Sequence, residues 1–306
     1  MQHYTIERLS VDNIIHLQAL YRSCYSKKMS IEVLKGKYNT KIFGPEWIGY
    51  LALTSDNKPA AFYGVLPCRF RIRDETFLAA QSADTMTHPS HRKKGLFTQL
   101  AKMTYELARH EGIQFIFGFP NQNSYGGFVR LEWRFLVRPM QLFVLNGSKI
   151  PWANLFLKIP GLGNFYEKMM KIRFGSLVEN GDFSGKHGVI RDQIFFKYKS
   201  QYSKTFVKKS SDIFAWMKND GSLKIGFITF QDTTSPESLK HFLRLSAKRL
   251  GCHSIILMTS WNSQLYKLLT KITSPMDGLP IGFYNLMNRD INFDDVIFEY
   301  CDIDIF

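Results

Sequence analysis

The stretch HPSHRKKGLFTQL, residues 88–100, places several basic side chains and a glycine directly before an apolar helix pattern. The strand pattern SADTMT precedes it, and apolar residues at 96, 100, 103 and 107 have the spacing of an amphipathic helix. A loop at a helix N-terminus offers backbone N–H groups and the positive end of the helix dipole to an anion. Gly95 has no Cβ atom, so a ligand can approach the backbone closely there. The stretch predicts a phosphate-binding loop, and a solvated basic loop without a ligand is the open alternative.

The surrounding sequence narrows the class of ligand. Neither the GxxxxGK[ST] motif of P-loops nor the GxGxxG motif of dinucleotide-binding folds is present. We expect no nucleic-acid partner, because no aromatic residues for base stacking alternate with the basic ones. We also expect no metal, since His88 and His91 form an HxxH pair without further ligands in a suitable pattern.

The composition is that of a globular protein with a large core. Of its 306 residues, 45% are hydrophobic and 15% aromatic. The net charge of +14 attracts polyanions, which include coenzymes, nucleotide sugars, anionic lipids and nucleic acids, and does not choose among them. The N-terminal residues lack the pattern of a secretory signal, and no run approaches the roughly 20 apolar residues of a membrane span. The four cysteines are scattered without a CxxC pair, so the sequence predicts a cytoplasmic protein with reduced thiols.

Helix and strand patterns alternate along both halves of the chain and predict the α/β (α+β) class. The first half predicts a helix at 13–25 and strands at 47–54, 60–73, 76–87, 113–120 and 134–145. The second half has the order strand, strand, helix, strand, helix, strand, with 281–288 as the final core strand. This repetition suggests a distant internal duplication.

The segment TMTHPSHRKKGLFTQL, followed by IQFIFGFPNQNSYGGFVRLEW, resembles the GNAT superfamily of acyl-CoA N-acyltransferases. That family has a strand, then [Q/R]-x-x-G-x-[G/A] opening a helix, then a strand that ends in an Asn-bearing loop and a short helix. The resemblance is specific over about residues 60–140, weaker before them and only suggestive after 180. It implies a GNAT-like mixed twisted sheet flanked by helices, a second degenerate GNAT-like domain, and acetyl-CoA as co-substrate.

The resemblance also implies roles for individual residues. Met86 and Thr87 would pair their backbone with the pantetheine arm, and an amide there would polarise the thioester carbonyl. Asn121 or Asn123 would hold the pantetheine amides from the opposite side. The coenzyme A pyrophosphate would be wrapped by the backbone amides of Arg92, Lys93, Lys94, Gly95, Leu96, Phe97 and Thr98.

Two positions depart from the family pattern. Phe97 stands where glycine or alanine is usual, and because it starts the helix its side chain can point away from the ligand. Phe128 stands where many members have the tyrosine that protonates the leaving thiolate. Tyr125 is the candidate replacement for this acid, with ordinary packing as the alternative.

Asp84 is the candidate general base that deprotonates an ammonium acceptor. The alternative is a structural ion pair with one of the arginines on the cationic face of the preceding strand, Arg69, Arg71 or Arg73. That cationic face would also suit a nucleotide-sugar acceptor.

The expected organisation is a GNAT acetyl-CoA-binding domain at 1–145, a linker with short amphipathic helices at 146–178, and a degenerate GNAT-like domain at 179–306 that completes the acceptor pocket. The apolar residues of 150–158 predict packing between the two domains or, alternatively, peripheral membrane contact. The oligomeric state is left open.

The leading hypothesis is an acetyl-CoA-dependent N-acetyltransferase. The small amine acceptor would be an amino sugar or a nucleotide-linked amino sugar, by resemblance to acetyltransferases of surface-polysaccharide pathways. The alternatives are a non-catalytic acyl-CoA-binding or scaffold protein and an aminoacyl-tRNA-dependent transferase.

Overall fold

The computed structural model describes residues 3–159, 161–174, 185, 187–287 and 290–306. The chain forms two compact units, each made of two segments. Unit 1 comprises Met1–Val137 and Pro280–Asp294, and unit 2 comprises Arg138–Leu279 and Asp295–Phe306. These bounds differ from the expected division at 145 and 179, and part of the expected linker, 175–178, lies outside the described residues.

The helices and strands have the following bounds. The strands are β1 Tyr4–Arg8, β2 Gly49–Thr54, β3 Pro59–Ile72, β4 Glu75–Thr87, β5 Phe115–Gly118, β6 Arg134–Phe135, β7 Gln141–Asn146, β8 His187–Val189, β9 Thr205–Lys209, β10 Ile213–Asn219, β11 Leu223–Phe230, β12 Ser254–Thr259, β13 Met276–Asp277 and β14 Gly282–Asn285. The helices are α1 Ile15–Tyr25, α2 Ile31–Tyr38, α3 Leu96–His110, α4 Gln122–Arg130, α5 Trp152–Lys158, α6 Leu162–Arg173, α7 Gln193–Ser200, α8 Pro236–Leu250 and α9 Gln264–Leu269. Short 3-10 helices lie at Lys41–Phe43, Pro89–His91 and Tyr300–Asp302.

Unit 1 is built on a sheet with the strand order β1-β2-β3-β4-β5-β14-β6. Neighbouring strands are antiparallel except β4 and β5, which are parallel and connected through α3. The apolar faces of α1 and α2 pack on one side of this sheet, and α3 and α4 pack on the other. The β4–β5 ladder joins Ala79–Gln81 to Phe115–Phe117, whereas β4 continues to Thr87. We call the space beyond this ladder the β4–β5 cleft.

Unit 2 repeats this topology in the sheet β13-β7-β12-β11-β10-β9. Its parallel pair is β11 and β12, connected through α8, and β7 lies antiparallel to β12 as β14 lies antiparallel to β5. The α/β class, the mixed sheets flanked by helices and the second GNAT-like sheet are thereby confirmed. The strand β14, which pairs with β5, comes from the second half of the chain. The strand β7, which pairs with β12, comes from the first half.

This exchange corrects two strand predictions. The continuous strand at 134–145 is wrong, because the chain forms the short β6 in unit 1 and then β7 in unit 2. Val137 is fully exposed between them, and Pro139 has no N–H group for a ladder. The segment 281–288, expected in the C-terminal domain, instead supplies β14 to unit 1.

The helices α5 and α6 belong to the core of unit 2. Ala153 is fully buried there, and Trp152, Phe156 and Leu157 pack against the same core. Leu155 is 61% exposed. Contact of this segment with a membrane stays a prediction. Among the described residues, no helix has the length and apolar character that would let it cross a membrane.

Candidate active site

The basic loop opens the N-terminus of α3. Its backbone turns through two left-handed residues, Lys93 with φ +62° and Gly95 with φ +76°, and Gly95 is the N-cap. No side chain caps this end, so the N–H groups of the first turn, at Leu96 to Thr98, point outward from the helix end. A Cβ atom on Gly95 would meet nothing within 4 Å, and Arg92 to Gly95 are exposed. This is an open, cationic helix N-terminus suited to an anion.

Phe97 leaves this loop free because its ring turns into the core. The ring packs edge-on against Tyr63 and Phe128, with centroid distances of 5.8 and 5.4 Å. It also lies against Gly127 of α4, where an added Cβ would come within 2.5 Å of it. The bulky residue at the motif position is therefore accommodated by a glycine on the neighbouring helix.

A β-bulge interrupts β4 beside the β4–β5 cleft. Gly64 pairs with Ala83 and Phe62 pairs with Met86, so Asp84 and Thr85 together lie opposite the single Tyr63. Asp84 has φ +50°, a left-handed conformation that is uncommon for a residue with a side chain. Bulges re-aim the strand that follows them. Here the redirected residues are Met86 and Thr87, whose backbone continues to the basic loop.

The side chain of Asp84 is buried and paired. Its Oδ2 lies 2.7 Å from the Lys37 ammonium and accepts a 2.7 Å hydrogen bond from the Tyr38 hydroxyl. The alternative to the base role was an ion pair with an arginine of β3, and the partner in the structure is Lys37 instead. Arg69 is six residues beyond Tyr63, which is about 20 Å along a strand.

The same displacement separates the cationic arginine row from the bulge.

The short helix α4 carries the remaining expected residues. Asn121 is its N-cap, and its Oδ1 accepts hydrogen bonds from the backbone N–H groups of Asn123 (2.9 Å) and Ser124 (3.2 Å). Asn123 is exposed in the first turn. Phe128 is buried toward α3, whereas Tyr125 is 39% exposed and its ring packs against Phe135 of β6 at 4.6 Å. The two rings thus contact different neighbours, Phe97 of α3 and Phe135 of β6.

A buried phenol network lies on the α3 side of the cleft and was not anticipated from the sequence. The Tyr63 hydroxyl lies 2.8 Å from the Ser82 hydroxyl and 3.3 Å from that of Tyr105, which accepts a 2.9 Å hydrogen bond from the Trp133 indole. Burial raises the pKa of both Tyr63 and Tyr105 well above the ordinary value. Their hydroxyl groups connect β3, β4 and α3.

Sequence reasoning also missed the residues of α1 and α2 that approach β4. Besides Lys37 and Tyr38, the Tyr25 hydroxyl donates to the Thr85 carbonyl at 3.2 Å. Burial raises the pKa of the Cys24 thiol, against the opposing effects of Arg92 and the Thr87 backbone. A signal existed in the sequence, because Lys37 stands three residues after Leu34 on the apolar face of α2. Within the described ranges, no group of three or more potential ligands could hold a metal ion.

Comparison with known proteins agrees with this geometry. Residues 6–135 match the family model of the acetyltransferase (GNAT) domain. No curated protein sequence matches the chain.

Several solved structures share the fold over 93% of this chain. A GCN5-related N-acetyltransferase from Kribbella flavida has 10% identity and a TM-score of 0.55, and 71% of its chain is covered. The GCN5-related glucosamine N-acetyltransferase region of a fungal multi-domain β-N-acetylglucosaminidase has 11% identity and a TM-score of 0.56, with 38% covered. The N-myristoyltransferase of Saccharomyces cerevisiae with bound myristoyl-CoA has 12% identity and a TM-score of 0.57, with 79% covered. Residues 6–135 thus match the acetyltransferase (GNAT) domain, and the solved structures share the fold of the chain.

Proposed function

We propose that the protein is an acetyl-CoA-dependent N-acetyltransferase that transfers the acetyl group directly to the amine of a small acceptor. The observation that carries this proposal is the uncapped, cationic N-terminus of α3 at the end of β4, next to the bulge. The open surroundings of Gly95 leave the space that a pyrophosphate needs against the backbone.

The chain's own residues would orient and polarise rather than react covalently. The N–H groups of residues 92–98 would hold the pyrophosphate, and the backbone of Met86 and Thr87 would align the pantetheine arm. Acetyl-CoA, when bound, supplies the activated acetyl thioester. A backbone N–H beyond the bulge would donate to its carbonyl oxygen as negative charge develops there. A neutral amine held in line can then attack without covalent help from the protein.

The leaving thiolate needs a proton, and Tyr125 is the proposed donor. Its exposure on α4 makes its hydroxyl accessible, whereas Phe128 has no hydroxyl. Asn121 and Asn123 would hold the pantetheine amides from the α4 side. Because the Asn121 oxygen already caps α4, its amide group would contribute its N–H donors.

We propose an amino sugar as the acceptor. Support comes from the glucosamine N-acetyltransferase region that shares this fold. Incubation with acetyl-CoA and a panel of amines, followed by detection of free thiol, tests the acceptor. Coenzyme A binding without turnover of any amine would favour a scaffold protein. Tight tRNA binding without coenzyme A binding would favour an aminoacyl-tRNA-dependent transferase.

Gly95→Asp tests the coenzyme loop. The substitution puts a side chain and a negative charge at the phosphate position, and we expect a loss of coenzyme A affinity of roughly a hundredfold or more in titration calorimetry. Gly112→Asp is the matched control, because Gly112 has φ +80° and open surroundings at the other end of α3. Both variants bear the same backbone strain. Retained affinity in Gly95→Asp, or equal loss in both, would refute the assignment of the loop.

A further inference from the structure

The bulge in β4 is held in a conformation that its sequence does not favour. Asp84 has a side chain and lies at φ +50°, a region in which non-glycine residues persist only when the surrounding structure holds them. The contacts that hold it come from α1 and α2, on the sheet face opposite α3.

The first contact is an ion pair with almost no solvent exposure. The side chains of Lys37 and Asp84 are 4% and 7% exposed, and their Nζ and Oδ2 atoms lie 2.7 Å apart. The Tyr38 hydroxyl donates to the same Oδ2 atom. A buried ion pair often adds little to the free energy of unfolding, because well-packed apolar residues of similar volume stabilise the folded state as much. What this pair does achieve is to fix the direction of the Asp84 side chain and hence of its backbone.

The second contact holds the other bulge residue. The Tyr25 hydroxyl, at the end of α1, donates to the Thr85 carbonyl at 3.2 Å. Tyr25 is 42% exposed, so this hydrogen bond is not part of the core. Each residue of the bulge is therefore tied to a different helix of the same face.

We propose that Lys37, Tyr38 and Tyr25 are positioning residues for acyl transfer. They fix the bulge at Asp84 and Thr85, and the bulge aims the following backbone, at Met86 and Thr87, toward the thioester carbonyl. Asp84 thus serves as the anchor of the bulge and not as the base that deprotonates the amine. This inference rests on the proposed acetyltransferase function and adds the residues that set its geometry.

The test compares Lys37→Met, Asp84→Asn and the double variant, with Lys35→Met, an exposed lysine of the same helix, as the matched control. Lys37→Met leaves the buried Asp84 carboxylate without its partner, and Asp84→Asn leaves the buried Lys37 ammonium without its partner. We expect kcat to fall by roughly tenfold or more in each, since small misplacements of reacting groups have effects of this size. The double variant removes both charges and keeps an acceptor for the Tyr38 hydroxyl, so we expect it to recover most of kcat.

Tyr25→Phe separates positioning from stability. Because the hydroxyl is at the surface, the thermal midpoint and the coenzyme A affinity should stay at the wild-type values while kcat falls.

Three results would overturn the inference. If Asp84 is the base, Asp84→Asn and the double variant lose activity alike, and the acid limb of the pH–rate profile disappears. If all the variants keep the wild-type kcat, the contacts have no role in transfer. If the wild type binds no acetyl-CoA, the proposed function fails first and the positioning role fails with it.

Discussion

Phe97 shows how a single residue that breaks a motif is accommodated by another residue. Its ring lies between α3 and α4, and Gly127 leaves the space for it. Gly126, next along α4, has only the Arg130 guanidinium within reach of an added Cβ, at 3.8 Å. An alanine would therefore clash with the Phe97 ring at position 127 and would fit without a clash at position 126.

Gly127→Ala should lower the free energy of unfolding by about 1–3 kcal/mol, because the new methyl group overpacks the Phe97 ring. Gly126→Ala should raise it by up to about 1 kcal/mol through helix propensity alone. Urea denaturation of both variants measures the difference. A Gly127→Ala variant as stable as Gly126→Ala would show that the ring does not fill this space.

At the scale of elements, the C-terminal segment completes unit 2. The Phe298 N–H donates to the Ser260 hydroxyl at 2.8 Å, and the Ser260 N–H donates to the Phe298 carbonyl at 2.9 Å, beside the end of β12. Glu299 then caps the 3-10 helix at Tyr300–Asp302 and accepts a hydrogen bond from Thr259. Burial, with the neighbouring Asp302 carboxylate, raises the pKa of Glu299 to about 8 against the opposing effect of Arg191.

This raised pKa predicts a pH dependence of stability. Between an unfolded pKa of about 4.3 and the folded value, the folded state keeps a proton that the unfolded state has released, so the free energy of unfolding falls as pH rises. Glu299→Gln keeps an oxygen acceptor and should remove this fall, a difference on the order of 3–4 kcal/mol between pH 5 and pH 8. Urea midpoints of wild type and variant at the two pH values measure it. Parallel pH profiles would contradict the prediction.

At the scale of the whole molecule, two sheets of the same topology have helix N-termini of opposite character. In unit 1, Gly95 leaves the N-terminus of α3 without a side-chain cap. In unit 2, the Ser235 side chain accepts a hydrogen bond from the Ser238 N–H, and Glu237 adds a negative charge to the first turn of α8. The N-terminus of α8 is thus already satisfied and repels an anion.

We therefore expect one coenzyme A per chain. Titration calorimetry should give a stoichiometry near one, and Gly95→Asp should remove the whole binding signal rather than half of it. A stoichiometry near two, or a residual site in Gly95→Asp, would contradict the difference between the two helix N-termini.

Local patterns predicted much of the fold. The helix α8 begins and ends as its sequence indicates, with Ser235 as N-cap and the left-handed Gly251 as C-cap. The strands at 60–73 and 76–87 and the amphipathic helix after the basic loop were also predicted, and the structure confirms them as β3, β4 and α3. The candidate site was predictable as a loop, because glycine, basic residues and a helix start lie within a few residues of each other.

What the sequence by itself determined is the class of each segment and the basic, glycine-containing start of α3 at Gly95, since both depend on residues within one or two turns of chain. Only the tertiary structure decided that β7 joins the sheet of unit 2 and β14 joins the sheet of unit 1. The backbone N–H and C=O groups of an apolar strand can pair equally well with either sheet. The tertiary structure also decided that Asp84 pairs with Lys37, which lies 47 residues away in sequence, rather than with the nearer arginines of β3. Sequence distance carries no information about such a pair, because its energy depends on burial and on the direction of side chains that the packed sheet sets.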